Sequence, residues 1–173
     1  AGAGSRVSHN RIYNAPHEGI GLGGNDHVIE FNEIHHVCME THDAGAFYMG
    51  RDWSQRGNVV RYNYFHHLGT GDVQAVYLDD WTSGVLVYGN ICHGALRGVL
   101  VGGGRDNTIE NNIFVDCKIG VHIDQRGLGW AKSYFDGTDN TLFDRLKAVN
   151  GTQPPYTQRY PELATLLEDD PVL

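Results

Sequence analysis

A chain of 173 residues and 19.2 kDa is long enough to bury one sizeable core and too short for two comfortable domains. Its 21 acidic and 13 basic residues leave a net charge of −8, which argues against duplex nucleic acid or an anionic membrane as the main partner. No apolar run approaches the ~18 residues of a membrane span, and the opening AGAGS lacks the charged and apolar regions of a signal peptide, so the chain reads as soluble, already processed or not. Cys38, Cys92 and Cys117 are odd in number and show no CxxC spacing. They make neither a disulfide framework nor a zinc site and read as small buried hydrophobes.

Glycine, at 23 residues, runs at about twice its usual ~7%, and twelve Asn accompany it. Both point to many tight turns. From residue 10 onward three phrases recur in a fixed order. One is a turn Asn two residues ahead of an apolar anchor: Asn10 and Ile12, Asn32 and Ile34, Asn63 and Phe65, Asn90 and Cys92, Asn112 and Phe114. A second is a small residue opening an alternating strand at Gly19, Gly45, Ala75, Gly98 and Gly120. A third is a short strand ahead of each Asn, as in Val28 to Phe31, Val59 to Tyr62, Val85 to Tyr88 and Thr108 to Asn111. Three short strands per repeat of about 22 residues predict an all-β fold, a right-handed parallel β-helix of about five coils. Each coil exposes an apolar edge that its neighbour, ~4.8 Å away, covers. The corner Asn tolerate left-handed backbone and can stack as an amide ladder. An antiparallel sandwich, the competing architecture, gives no reason for the same phrases to return in order.

After Asp124 the repeats stop. We divide the chain at residue 130, with β-helix coils over 1–130 and a helical insertion or capping segment over 131–173. Within the second part, Thr141 to Val149 has a helical apolar face (Leu142, Phe143, Leu146, Val149) with Asn150-Gly151 as its stop, and Pro161 opens a second short helix. The closing Asp170-Pro-Val-Leu173 lacks a polar closing coil and the chain begins inside a coil near Val7. A fragment of a longer solenoid is therefore expected, with remaining coils of a parent chain as possible neighbours.

Strand alternation turns the repeats into columns. In the second phrase the inward pairs are Ile20/Leu22, Ala46/Tyr48, Val76/Leu78, Val99/Val101 and Val121/Ile123; the outward residues are Gly21, Phe47, Tyr77, Leu100 and His122. One step further out come Gly23, Met49, Asp79, Gly102 and Asp124, so two carboxylates share a column across a glycine rung. Two rungs separate backbones by roughly 9–10 Å, which lets the carboxyls reach the ~6.5–9.5 Å of inverting glycosidases. Gly102 to Gly104 clear side chains from the space between, as if for a sugar ring. Tyr77 and His122 flank it, and Trp81 reads as an outward stacking platform. His42, Asp43, Arg51, Asp52, Arg105 and Asp106 gather at the same strand ends as candidate substrate-binding groups, since sugars offer hydroxyls to charged groups and C–H faces to rings. Any one Asp here can instead be a turn former, and the Arg-Asp pairs can be loop salt bridges. His35, His66 and His93 occupy equivalent positions and offer a divalent-ion ladder, although a surface column on a turn is the plainer reading and no metal is assigned. Asp79, Asp80 and Asp106 offer Ca²⁺ as the one cofactor alternative to none.

The stretches HDAGAFYMGRDWS (42–54), VYLDDWTSGVLVYGN (76–90), RGVLVGGGRDNTIENNIFVDC (97–117) and HIDQRGLGWA (122–131) resemble large secreted right-handed β-helix proteins of carbohydrate-degrading bacteria. The nearest resemblance is to the family 141 glycoside hydrolases, which include α-L-fucosidases and xylanases. PPYTQRYPEL (154–163) resembles an insertion in such proteins, although those are several times longer. The resemblance implies a catalytic Asp pair, carried onto Asp79 in YLDDW and Asp124 in HIDQRG, with Asp80 the rival for the first role. It also implies a polysaccharide or glycan as partner and a secreted or periplasmic bacterial location. Hydrolysis by one carboxylic acid and one carboxylate is the expected chemistry. A polysaccharide lyase or epimerase, and a non-catalytic carbohydrate-binding solenoid, are the alternatives that the fold itself leaves open.

Overall fold

A computed structural model describes residues 2–168; the closing Asp170-Pro-Val-Leu173 singled out above lies outside the described residues. Fifteen short strands wind into three parallel sheets of five. The first holds Arg6–Ser8, Val28–Glu30, Val59–Arg61, Leu86–Tyr88 and Thr108–Glu110; the second holds Arg11–Tyr13, Glu33–His35, Tyr64–His66, Ile91–His93 and Ile113–Val115. The third holds Ile20–Gly21, Ala44–Gly50, Val73–Asp79, Arg97–Gly102 and Ile119–Asp124. Every strand pairs with its equivalent one coil away, which makes the chain the expected right-handed β-helix of five coils.

One central residue per short strand points inward. Ile29, Val60 and Val87 do so from the first sheet and Ile34, Phe65 and Cys92 from the second, all buried. The third sheet adds Phe47, Val76 and Val99, with Met49, Leu78 and Val101 beside them. Each such burial stabilises by about 1.5–3 kcal/mol. Here the expected register needs one correction. Phe47 pairs with Val76 and Tyr48 with Tyr77, so Phe47 and Met49 face in while Tyr48 faces out. The expected inward pair Ala46/Tyr48 is out by one residue, which in a period-two strand reverses every face. The equivalent of Ala75 and Gly98 is Ala46, and Gly45 precedes it.

The Asn column is a continuous ladder. Asn32, Asn63 and Asn90 each donate their backbone N–H and Nδ2 to the Oδ1 of the next Asn at 2.9–3.0 Å. Each Nδ2 also reaches a carbonyl one coil back, Val7, Ile29 and Val60 in turn. All three side chains are buried, so the amides satisfy corner groups that water cannot reach. The left-handed backbone falls not on these Asn, as expected, but on the residue before each: His9, Phe31, Tyr62, Gly89 and Asn111, with φ between 54° and 64°. A bulky residue in that region costs roughly 1–2 kcal/mol. The rings of His9, Phe31 and Tyr62 stack at 5.1 and 5.2 Å, which offsets part of it.

Past Asp124 the chain leaves the coils. The helix Thr141–Ala148 matches the periodic segment expected over 141–149, and Gly151 N–H closes its end on the Leu146 carbonyl at 2.8 Å. The expected short helix at Pro161 is a 3₁₀ turn, Pro161–Ala164. Leu142, Leu146, Leu163 and Leu166 pack on Trp53 and Trp81, which project from the ends of third-sheet strands, and form a second apolar core. Arg159 pairs with Asp26 at 3.0 Å and Arg145 donates to the Arg51 carbonyl at 2.7 Å. The segment therefore lies against strand ends along the solenoid, and Ile113 and Ile123 of the last coil stay exposed.

Candidate functional site

The outer face of the third sheet opens into a cleft of about 210 Å³ lined by Asp43, Arg51, Asp72, Tyr77, Asp79, Asp80, Arg97, Leu100, His122, Asp124, Arg126 and Trp130. Its floor follows from the register: Tyr48, Tyr77, Leu100 and His122 form one outward column, and Gly50, Asp79, Gly102 and Asp124 form the next.

At the centre is Arg126, a residue the column reading missed. Only 4% exposed, its side chain spans three carboxylates: Nη1 lies 2.5 Å from Asp79 Oδ1 and 2.7 Å from Asp80 Oδ1, and Nε lies 3.2 Å from Asp124 Oδ2. Burial works against its charge, and the hydrogen bonds to Asp80 and Asp79 outweigh burial, so the guanidinium is held more firmly protonated than an ordinary arginine. The glycines have a different use from the one expected. A Cβ on Gly102 would sit 2.4 Å from Arg126 Cζ, one on Gly103 2.9 Å from Trp81 Nε1, and one on Gly104 1.8 Å from the Thr82 carbonyl oxygen. The space between Asp79 and Asp124 is thus filled by Arg126 rather than left open for a sugar ring.

The other walls are equally tied together. Tyr48 Oη donates to Asp79 Oδ2 and Tyr77 Oη to Asp43 Oδ1, both at 2.9 Å. Burial first, then the Asp79 charge and these bonds, push both phenols far above their usual range, so they act as fixed neutral donors. Arg51 Nε holds Asp80 Oδ2 at 2.7 Å. Arg97 spreads over Asp72 (2.5 Å), Gln74 (3.2 Å) and His122 Nδ1 (2.8 Å). Burial pulls the Asp72 carboxyl up, but hydrogen bonds from Gln74 and Arg97 and the Arg97 charge hold it below the usual carboxylate range. Asp124 is the least enclosed carboxylate on Arg126, with 32% of its side chain exposed against 8% for Asp79 and 4% for Asp80.

Of the residues expected from sequence, Asp43, Arg51, Tyr77, Asp79, Asp80, His122 and Asp124 meet in this cleft. Trp81 does not serve as an outward platform: it is 1% exposed, its ring against Tyr134 and Phe135 at 4.6 and 5.1 Å. Asp52 caps its own loop through Ser54 and Gln55. His42 lies exposed over Gly71, and Arg105, which does not line the cleft, donates its backbone N–H to Ser83 Oγ. Asp106 pairs with the buried Arg56 at 2.6 Å and lines a separate cavity. That separates it from Asp79 and Asp80, so the Ca²⁺ trio does not converge. The histidine column forms as aligned, with His35 and His66 stacked at 4.9 Å, but it is tied up in contacts to Arg11, Glu33, His36 and His67. Among the described residues no group of three or more His, Cys, Asp or Glu is arranged to hold a metal ion.

A sequence signal existed for Arg126: it stands two residues past Asp124 in HIDQRG, just beyond the strand end, facing the glycine rung. Arg97 had none, because the register steps over Ala75 and Gly98 and strict alternation fails there. Comparison with known families finds a match over residues 1–144 to the model described as "right handed beta helix region". No curated protein and no solved structure matches the chain.

Proposed function

The chain belongs to the right-handed β-helix family, and from that footing we propose that it is a glycoside hydrolase working in the Arg126 cleft. The observation that carries the reading is the unequal exposure of two carboxylates on one guanidinium. Asp124, the more exposed of the two and held by a single 3.2 Å contact, is the group this proposal assigns to reach the glycosidic oxygen as proton donor. Asp79, enclosed and bonded by Arg126 and Tyr48 Oη, takes in this proposal the role of the base that activates a water entering beside Arg126. Asp80, pinned by Arg51 and Arg126, positions that pair. A polymeric substrate implies a secreted or periplasmic protein, and this belongs to the same proposal.

Charge weighs against a uronate lyase or epimerase. The lining has five carboxylates and three guanidiniums, each guanidinium bonded to at least one of those carboxylates, so none is spare to neutralise a uronate. A second reading, glycan binding without turnover, is favoured by the filled gap between Asp79 and Asp124. A product assay on xylans, fucosylated glycans and uronate polymers separates them. We expect turnover of a neutral glycan that falls at least about 100-fold in Asp124→Asn, with the fold intact by circular dichroism. Equal turnover in that variant, or none in the parent, overturns the hydrolase.

A further inference from the structure

Just past the last strand, Trp130 stands at the lip of the cleft with 72% of its surface exposed, the most exposed large apolar side chain among the described residues. Trp53 and Trp81, by contrast, are each 1% exposed. Burying an aromatic ring is among the largest apolar gains a chain has, and a second apolar core containing Ala131 lies next in sequence. Trp130 is nevertheless turned away from that core and over Arg126, whose Cζ lies 5.4 Å from the ring centroid. Arg126 is locked by three carboxylates, so this cation–π contact fixes the indole against a rigid support.

The neighbours of the ring are hydrogen-bonding groups. Asp124 is one-third exposed, and His122, whose Nδ1 is taken by Arg97, keeps its other nitrogen. A flat apolar face beside such groups suits a ligand with a C–H face and a rim of hydroxyls. The cavity, about 210 Å³, falls below the ~300–1,000 Å³ of sites that enclose a drug-sized ligand. It therefore takes one ring, and its excess of carboxylates disfavours an anionic one.

We infer that Trp130 is the stacking platform of a subsite for a single uncharged sugar ring, with Asp124 accepting from one of its hydroxyls and His122 Nε2–H donating to another. This deepens the hydrolase reading and rests on it for the identity of the ligand as a glycan. Because the other two tryptophans are buried, acrylamide quenching of fluorescence in the full chain reports on Trp130. The probes are neutral xylo-oligosaccharides and fucosylated oligosaccharides, with uronate oligomers as the contrast. Wherever the parent turns a probe over, titrations use its thio-linked analogue, which resists hydrolysis, so that Asp124 stays in the subsite.

The expected result is that a neutral oligosaccharide shields Trp130 from the quencher. Trp130→Ala then weakens its binding about tenfold, and Trp130→Phe restores part of the loss. Trp130 is exposed, so both variants should keep the parent's melting temperature. Turnover of a neutral glycan without shielding, or with affinity unchanged in Trp130→Ala, overturns the subsite and leaves the hydrolase standing. Shielding without turnover supports the subsite and removes the hydrolase. Equal shielding by uronate oligomers overturns the uncharged-ligand assignment, and shielding by none of the probes overturns the inference.

Discussion

Replacing Arg126 by Met removes the one cation that touches Asp79, Asp80 and Asp124 together. Asp80 keeps Arg51, and Asp79 keeps the hydroxyl of Tyr48, so neither buried carboxylate is wholly abandoned. Asp79 nevertheless loses its counter-charge at a site 8% exposed. Breaking a buried ion pair from one side costs about 3–5 kcal/mol, and the remaining partners place this case near the lower end, at about 3 kcal/mol. Urea unfolding followed by circular dichroism at neutral pH reads that loss directly. Two internal controls accompany it. Arg126→Met combined with Asp79→Asn should recover at least about 1 kcal/mol relative to the sum of the single changes, because the uncompensated charge is gone. Arg126→Met combined with Asp80→Asn should recover less, because Asp80 keeps its Arg51 partner. A loss below about 1 kcal/mol, or strict additivity in the Asp79→Asn double variant, would refute the view that the cleft is organised around this guanidinium.

Asn63→Ala should cost about 3 kcal/mol, since it strands the buried Asn32 N–H and removes bonds to the Ile29 carbonyl and Asn90; Asn112→Ala, whose half-buried place lets water reach the Asn90 N–H it leaves behind, should cost about 1 kcal/mol, and a loss well under about 1 kcal/mol for Asn63→Ala in urea titrations would contradict the ladder argument. Acid should weaken the second-sheet corner. Burial first, then the charges of Arg11 and His66, hold His35 below its ordinary 6.5, and Glu33 and His36 face the same ring. A depressed folded value means this contribution is whole above pH 6.5 and is lost as pH falls through the folded value. His35→Gln should therefore flatten the drop in urea midpoint just below pH 6.5. A second decline belongs to Glu30, held below 4.5 by the Arg61 hydrogen bond against the pull of burial, with the Arg6 charge assisting. Its contribution is present above pH 4.5 and lost further down, and a midpoint that does not fall there would count against it.

The recurring Asn and apolar anchors made the coil count and most columns legible, because identical positions in successive coils meet identical neighbours. The failure at Ala46 has a local cause: Gly45 and Ala46 are both small, and the phrase can be entered at either. Period-two patterning then gives two registers, of which packing keeps the one that buries Phe47 and Met49. At the site, seven expected residues converge because they sit on coil columns. Trp81 misled because, with φ 62°, it stands past the strand in left-handed backbone, where alternation no longer sets direction. It turns instead under a segment more than 50 residues later in the chain. Arg126 and Trp130 lie beyond the last strand, outside any repeat. Their placement is set by the carboxylates and guanidinium they meet, which no periodicity encodes.

The central claim, hydrolysis of an uncharged glycan in the Arg126 cleft, is tested most directly by running the reaction in water enriched in heavy oxygen and weighing the products. One heavy oxygen should enter the new reducing end for each bond cleaved, and labelling and cleavage should disappear together in Asp124→Asn. An unlabelled, unsaturated product would make the chemistry elimination, and unaltered glycan recovered from the parent protein would contradict catalysis altogether.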